Sequence, residues 1–127
     1  MPMRKILALL LIICLLFLLG CDDNVLGSVS IQARTYTNGD KGLEYSGWSN
    51  NTVKIKKQNM SIYKNLKYNM YVTVLSVNAN SVNVAFSYPV YCDTIDKNSD
   101  VFTLEKERTY TFATNNVNGI EVKMRFK

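Results

Sequence analysis

Apolar and polar residues alternate along most of the chain beyond position 27, and a period of two marks a half-buried β-strand. The last strand is the plainest: Ile120, Val122, Met124 and Phe126 alternate with Glu121, Lys123, Arg125 and Lys127. A loop over 115–119 sets Phe112 opposite Val122 and Tyr110 opposite Met124. With a turn near 105–108, Phe102 and Leu104 pair with Phe112 and Tyr110, so strands near 101–105, 108–114 and 120–126 are predicted to form a meander. A further hairpin spans Tyr71–Tyr88, turning at Ala79-Asn80. That turn places Val77 opposite Val82, Leu75 opposite Val84, Thr73 opposite Phe86 and Tyr71 opposite Tyr88 on one face, with Val72 and Val74 on the other. Burial of one face fixes such a register, and Asn80 supplies the left-handed conformation that a tight hairpin uses. Val29, Ile31 and Ala33 predict an earlier strand, and Val53, Ile55, Met60 and Ile62 predict a pair turning at Gln58-Asn59. The Gly-, Asn- and Ser-rich stretch Thr37–Asn51 reads as loops around a short strand at Leu43–Trp48, and Pro89 is expected to end a strand. No segment past Gly27 repeats apolar residues at helical spacing. The expected fold is therefore all-β, a small antiparallel β-sandwich with a small β-barrel as the alternative.

The first twenty-odd residues follow a different pattern. Arg4 and Lys5 precede an unbroken apolar run, Ile6–Leu19, which is shorter than the roughly 20 residues of a membrane-spanning helix. Such a run suits the helical h-region of a signal peptide. It ends in Leu18-Leu19-Gly20-Cys21, which resembles the lipobox of bacterial lipoproteins. Leu18 and Gly20 match that motif, and Leu19 stands where Ala or Ser is commoner. The resemblance covers residues 1–21 and implies cleavage before Cys21, a lipid on its thiol, and anchorage to the bacterial cell membrane. Three parts follow: a signal peptide over 1–20, the lipidated Cys21 with a tether to 27, and a single β domain over 28–127. At roughly 3.3 Å per residue the tether Asp22–Gly27 reaches about 20 Å, which keeps the domain near the bilayer.

Cysteine use agrees with that division. Cys14 leaves with the signal peptide and Cys21 carries lipid, so only Cys92 remains, either as a small buried apolar residue or in a disulfide to another chain. The chain carries a net charge of +5, and losing Arg4 and Lys5 leaves +3, too mild to identify a partner by itself. Export makes nucleic-acid binding an unsuitable reading.

Chemistry is sparse. The chain has no histidine, so Ser-His-Asp and Cys-His catalysis are excluded and the commonest metal ligand is missing. No cofactor motif is visible. A hydrolase built on paired carboxylates stays formally open, but no pair stands out. Asp96, Asn98 and Asp100 fall at positions 1, 3 and 5 of a calcium-loop spacing, with Glu107 at position 12 and Asp93 nearby. Val101 replaces the glycine that such a loop needs at position 6, and a solvated acidic turn accounts for the same residues. Trp48, with Tyr45 and Tyr36 close in sequence, is a candidate for contact with a sugar ring or a protein, or else a plug at the end of the core. Lys54, Lys56 and Lys57, with Lys64 and Lys67 beyond, serve either as edge-strand protection or as contacts for anionic lipid heads. These residues favour a non-catalytic anchored domain that binds an envelope protein or a wall polymer. A structural or assembly role without a ligand site is the alternative.

Overall fold

The computed structural model describes residues 25–127. The apolar run, the lipobox and Cys21 lie outside the described residues. The described residues form nine strands: β1 (Gly27–Gly39), β2 (Gly42–Tyr45), β3 (Ser49–Ile55), β4 (Met60–Asn65), β5 (Met70–Val77), β6 (Ser81–Cys92), β7 (Lys97–Glu105), β8 (Thr109–Ala113) and β9 (Gly119–Phe126). All pairings are antiparallel. The strands join in one sheet, in the order β2-β1-β9-β8-β6-β5-β4. β3 shares an edge of β1 with β2, and β7 runs along the edge of β6 away from β5 and β8.

The sheet curls into a half-barrel over one core. The two layers that the apolar faces require are thus the two halves of a single sheet. Its inner face carries Val29 and Ile31 of β1, Val72 and Val74 of β5, Val84 and Phe86 of β6, and Val122, Met124 and Phe126 of β9, all buried. Phe86, Phe102 and Phe112 meet at the centre, with ring centroids 4.8–5.8 Å apart in tilted and edge-on contacts. Among the described residues, every member of this core lies between Val29 and Phe126.

Bulges produce the curl. Ile62 is an extra residue in β4 against β5, Leu75 is an extra residue in β5 against β6, and the β6–β7 register slips between Ala85 and Val90. Each bulge bends its strand and increases the local twist. Pro89 sits in the third irregularity, where a missing N–H costs no ladder bond, so β6 continues through it instead of ending there.

Several local expectations are corrected. Val77 does face Val82, but the Leu75 bulge reverses the inward face below it. Val72, Val74 and Met70 are therefore buried while Tyr71 is exposed. Asn78 donates its backbone N–H to Ser81 O at 2.8 Å, closing the Ala79-Asn80 turn, yet Asn80 is not left-handed. Phe112 and Tyr110 face Val122 and Met124 as expected, but Phe102 and Leu104 pair with Val84 and Val82 of β6, not with β8. Thr37–Gly39 extends β1 and forms a hairpin with β2 rather than a loop. Finally, β3 and β4 do not pair with each other. β3 lies on β1 and β4 on β5, and the link 56–59 joins the two free margins of the sheet. A cleft of about 170 Å³ opens along this seam, between Ala33 and Ser49 on one side and Tyr63 and Asn65 on the other.

Candidate functional site: a polar face with a stacked arginine

Residues facing each other across an antiparallel pair point to the same side, so the registers define the outer face of β3, β1, β9 and β8. Reading across, Thr52, Ser30, Arg125 and Thr109 form one row. Asn50, Gln32, Lys123 and Thr111 form the next. Gln32 Nε2 donates to Asn50 Oδ1 at 2.8 Å, tying β1 to β3. A shallow groove of about 510 Å³ runs over these rows.

The segment between β2 and β3 lies one row beyond the groove, where Arg34 stands opposite Glu121. Ser46 holds it against β1: Ser46 N donates to Thr35 O at 2.9 Å, and Thr35 N donates to Ser46 Oγ at 2.8 Å. Tyr45 and Trp48 flank this clamp, and Arg34 lies between them. Its guanidinium carbon is 3.8 Å from the Tyr45 ring centroid and 4.2 Å from that of Trp48. Arg34 Nη2 donates to Glu121 Oε2 at 3.2 Å, while Arg34 Nε is buried without a hydrogen-bond partner, among the described residues. Lys123 Nζ sits 4.7 Å from the Trp48 ring centroid. Cation–ring contacts contribute about 0.5–2 kcal/mol each, the upper end where water is excluded, so they hold the platform in shape. Next to it, Tyr36 lies across Gly119 and packs 6.4 Å from Tyr45.

The expected candidates divide. Tyr45 and Trp48 come together, through Arg34. Trp48 is half-buried on the outer face and is not part of the core. Lys54 points to the same outer side, opposite Ser28, two rows from Asn50. Lys56 and Lys57 occupy the corner after β3 and do not reach the groove. The calcium-loop residues do not converge. Residues 97–105 are extended, which puts Asp96 and Glu107 on the order of 30 Å apart along the strand. Asp96 accepts a 2.6 Å bond from the Tyr91 hydroxyl, Asn98 accepts from Asn115 Nδ2 at 2.9 Å, and Glu107 pairs with Arg125 at 3.1 Å. Among the described residues no group of three or more acidic or cysteine side chains gathers as a metal site would.

Two phenols are perturbed. The hydrogen bond to Asp96 pushes Tyr91 up to about 12. Burial raises Tyr88, assisted by Tyr36 and Tyr63, and its hydroxyl donates to Tyr68 O at 2.9 Å. Neither belongs to the groove. Sequence reasoning missed Arg34, Lys123 and the Gln32–Asn50 pair. The available signal was the β1 alternation, which turns Arg34 and Gln32 outward on the strand nearest Tyr45 and Trp48.

Comparison with protein-family models, with curated proteins and with solved structures finds no match.

Proposed function

We propose that the chain is a membrane-anchored bacterial lipoprotein, lipidated at Cys21, whose β domain is a non-catalytic binding module. Its contact surface is the outer face of β3, β1, β9 and β8. The observation that carries this reading is Arg34 stacked against Tyr45 and Trp48 one row beyond an open polar groove, with Lys123 lining the groove and touching Trp48. Preorganised rings, a guanidinium, an amide pair and a row of hydroxyls suit an extended polar chain, which meets all of them in sequence. An envelope polymer or an extended segment of an envelope protein has that form. The open shape of the groove and the lack of a paired acid and base in it favour binding over turnover.

Crosslinking in intact cells of the native host, followed by mass spectrometry, tests the proposal. The wild type is expected to capture a specific envelope component, and Trp48→Ala and Arg34→Ala to lose it while keeping the native circular dichroism. Capture that survives both substitutions removes the groove from the reading. Fatty-acid labelling tests the anchor separately: Cys21→Ala is expected to abolish it, and persistent labelling overturns the lipoprotein reading.

A further inference from the structure

A chain of backbone hydrogen bonds traces one end of the half-barrel. Leu26 N donates to Ile55 O at 2.7 Å, Lys127 N to Ser28 O at 2.9 Å, Glu107 N to Phe126 O at 2.8 Å and Lys106 N to Asn80 O at 3.0 Å. Lys56 N, facing Met60 Sδ at 3.5 Å, continues the rim to the start of β4. The chain enters the domain on this same rim, at Val25 and Leu26, and both side chains are exposed. The turns here span 56–59, 78–80 and 106–108. They carry Lys56, Lys57, Lys106 and Arg108 against Glu107 alone, and Glu107 is already paired with Arg125. At the strand ends of this rim Lys54 of β3 adds an exposed cation and Glu105 of β7 an exposed carboxylate beside Ala79 and Asn80, so the rim stays net positive. The loops at the opposite end, 40–41, 66–69, 93–96 and 114–118, carry Asp40, Asp93 and Asp96 against Lys41 and Lys67. Charge is thus polarised along the barrel axis, positive where the chain enters.

We propose that this rim, built by Lys54, Lys56, Lys57, Lys106 and Arg108 around Val25 and Leu26, is a docking surface for an anionic phospholipid bilayer. The exposed apolar pair stands where the acyl boundary would be, between the cations of the 54–57 corner and those of the 106–108 turn, which match headgroup phosphates. Basic residues near an anionic surface contribute about 1 kcal/mol each, and the effect fades within a Debye length, about 8 Å at physiological salt. Fully extended, the tether 22–26 spans about 17 Å, which lets the rim reach the headgroups and leaves the charges to hold it there. This part of the argument rests on the lipid-anchor reading, whereas the charge polarity does not. Docked in this way, the groove on the outer face stands beside the bilayer with its long rows open to the envelope.

The test uses residues 22–127, which carry neither lipid nor the apolar run and are first shown to unfold cooperatively, and vesicles of phosphatidylcholine with or without phosphatidylglycerol. Sedimentation is expected to show binding to the anionic vesicles at low salt, release at high salt, and none to phosphatidylcholine alone. Replacing Lys56, Lys57 and Arg108 together by Gln is expected to lower the partition coefficient by about 100-fold, roughly fivefold for each charge. Replacing Lys41 and Lys67, at the far end, is expected to change it less than twofold. Thermal unfolding confirms that each variant is native. No binding to anionic vesicles at low salt overturns the proposal, as does equal loss from the far-end variant. Rim-dependent binding of soluble polyphosphate without vesicle binding overturns it in favour of a soluble anionic polymer. Because no lipid is attached, a negative result here leaves the Cys21 labelling experiment to decide the anchor independently.

Discussion

Gly119 shows how much one side chain can constrain. A methyl group there would collide with Thr114 Oγ1 and crowd the Tyr36 hydroxyl, because Tyr36 lies across the start of β9. The hydroxyl donates toward Thr114 O and Asn116 O, the latter at 2.8 Å, and meets Thr114 Oγ1 at 3.1 Å, which in turn accepts from Ile120 N. Overpacking of this kind costs about 1–3 kcal/mol, with more when a buried bond breaks too. Gly119→Ala is therefore expected to lower the urea midpoint more than Tyr36→Phe, which loses the hydroxyl bonds for about 1–2 kcal/mol. An unchanged midpoint for Gly119→Ala would show that Tyr36 does not cross there. Tyr91 gives a pH prediction. Its folded pKa of about 12 lies above the ordinary 10.0 because the neutral phenol donates to Asp96. The folded state holds that proton more tightly, so the contribution is complete below pH 10 and disappears as pH rises from 10 toward 12. In an absorbance titration of the native protein, Tyr91→Phe is expected to remove one phenol from the latest-ionising group. Loss of an ordinary phenol instead would mean that the Tyr91–Asp96 bond is absent.

The elements differ in how openly the sequence displays them. β9 is legible because Ile120 to Phe126 alternate without interruption and both flanking ladders are regular. β5 is not, because alternation carries no mark for the extra residue at Leu75, and a single insertion exchanges the faces of everything before it. Val72 and Val74 are as apolar as Leu75 and Tyr71, so composition does not choose between the registers. The structure does, and substitutions can check it: Val74→Ala is expected to cost about 1–3 kcal/mol and Thr73→Ala less than about 1 kcal/mol in urea unfolding. Reversed costs would restore the unbulged hairpin. Partner choice is a second hidden quantity. Phe102 and Leu104 have the right spacing for β8 as well as β6, and only the path of the chain between the two edges of β6 decides. The proposed binding face is half legible for the same reason. Trp48 and Tyr45 stand out by rarity and by proximity in sequence, whereas Arg34, Lys123 and Asn50 reach them only through three strand registers.

At the scale of the whole molecule the decisive feature is that the curled sheet does not close. The link 56–59 brings β3 and β4 to the same margin, yet no ladder joins them, and among the described residues each keeps one row of backbone groups without a strand partner. The outer edge of β7 is free in the same way. β9 is different: β1 covers one of its edges and β8 the other, and its inward side chains are fully buried. Amides protected only by local opening exchange at rates set by that opening, while those in the doubly paired centre wait for global unfolding. Native-state hydrogen exchange is therefore expected to be slowest at Val122–Met124 of β9 and along the facing residues of β1. Along β3 and β4 it is expected to alternate, slow at amides bonded inward and fast at those facing the seam. Uniform protection along β3 and β4 would mean that the seam closes in solution, as a complete barrel or through a second copy adding its strand. Lys54 on β3 and Lys64 on β4 weigh against the second route, since exposed lysines on a free edge oppose strand addition. Cys92, fully buried in β6, offers no thiol for linking two copies and is expected to react with a thiol reagent only on unfolding. An alternating pattern together with an unreactive Cys92 would establish an open half-barrel with no strand added at the seam and no disulfide through Cys92, leaving its charged rim and polar outer face as its open surfaces.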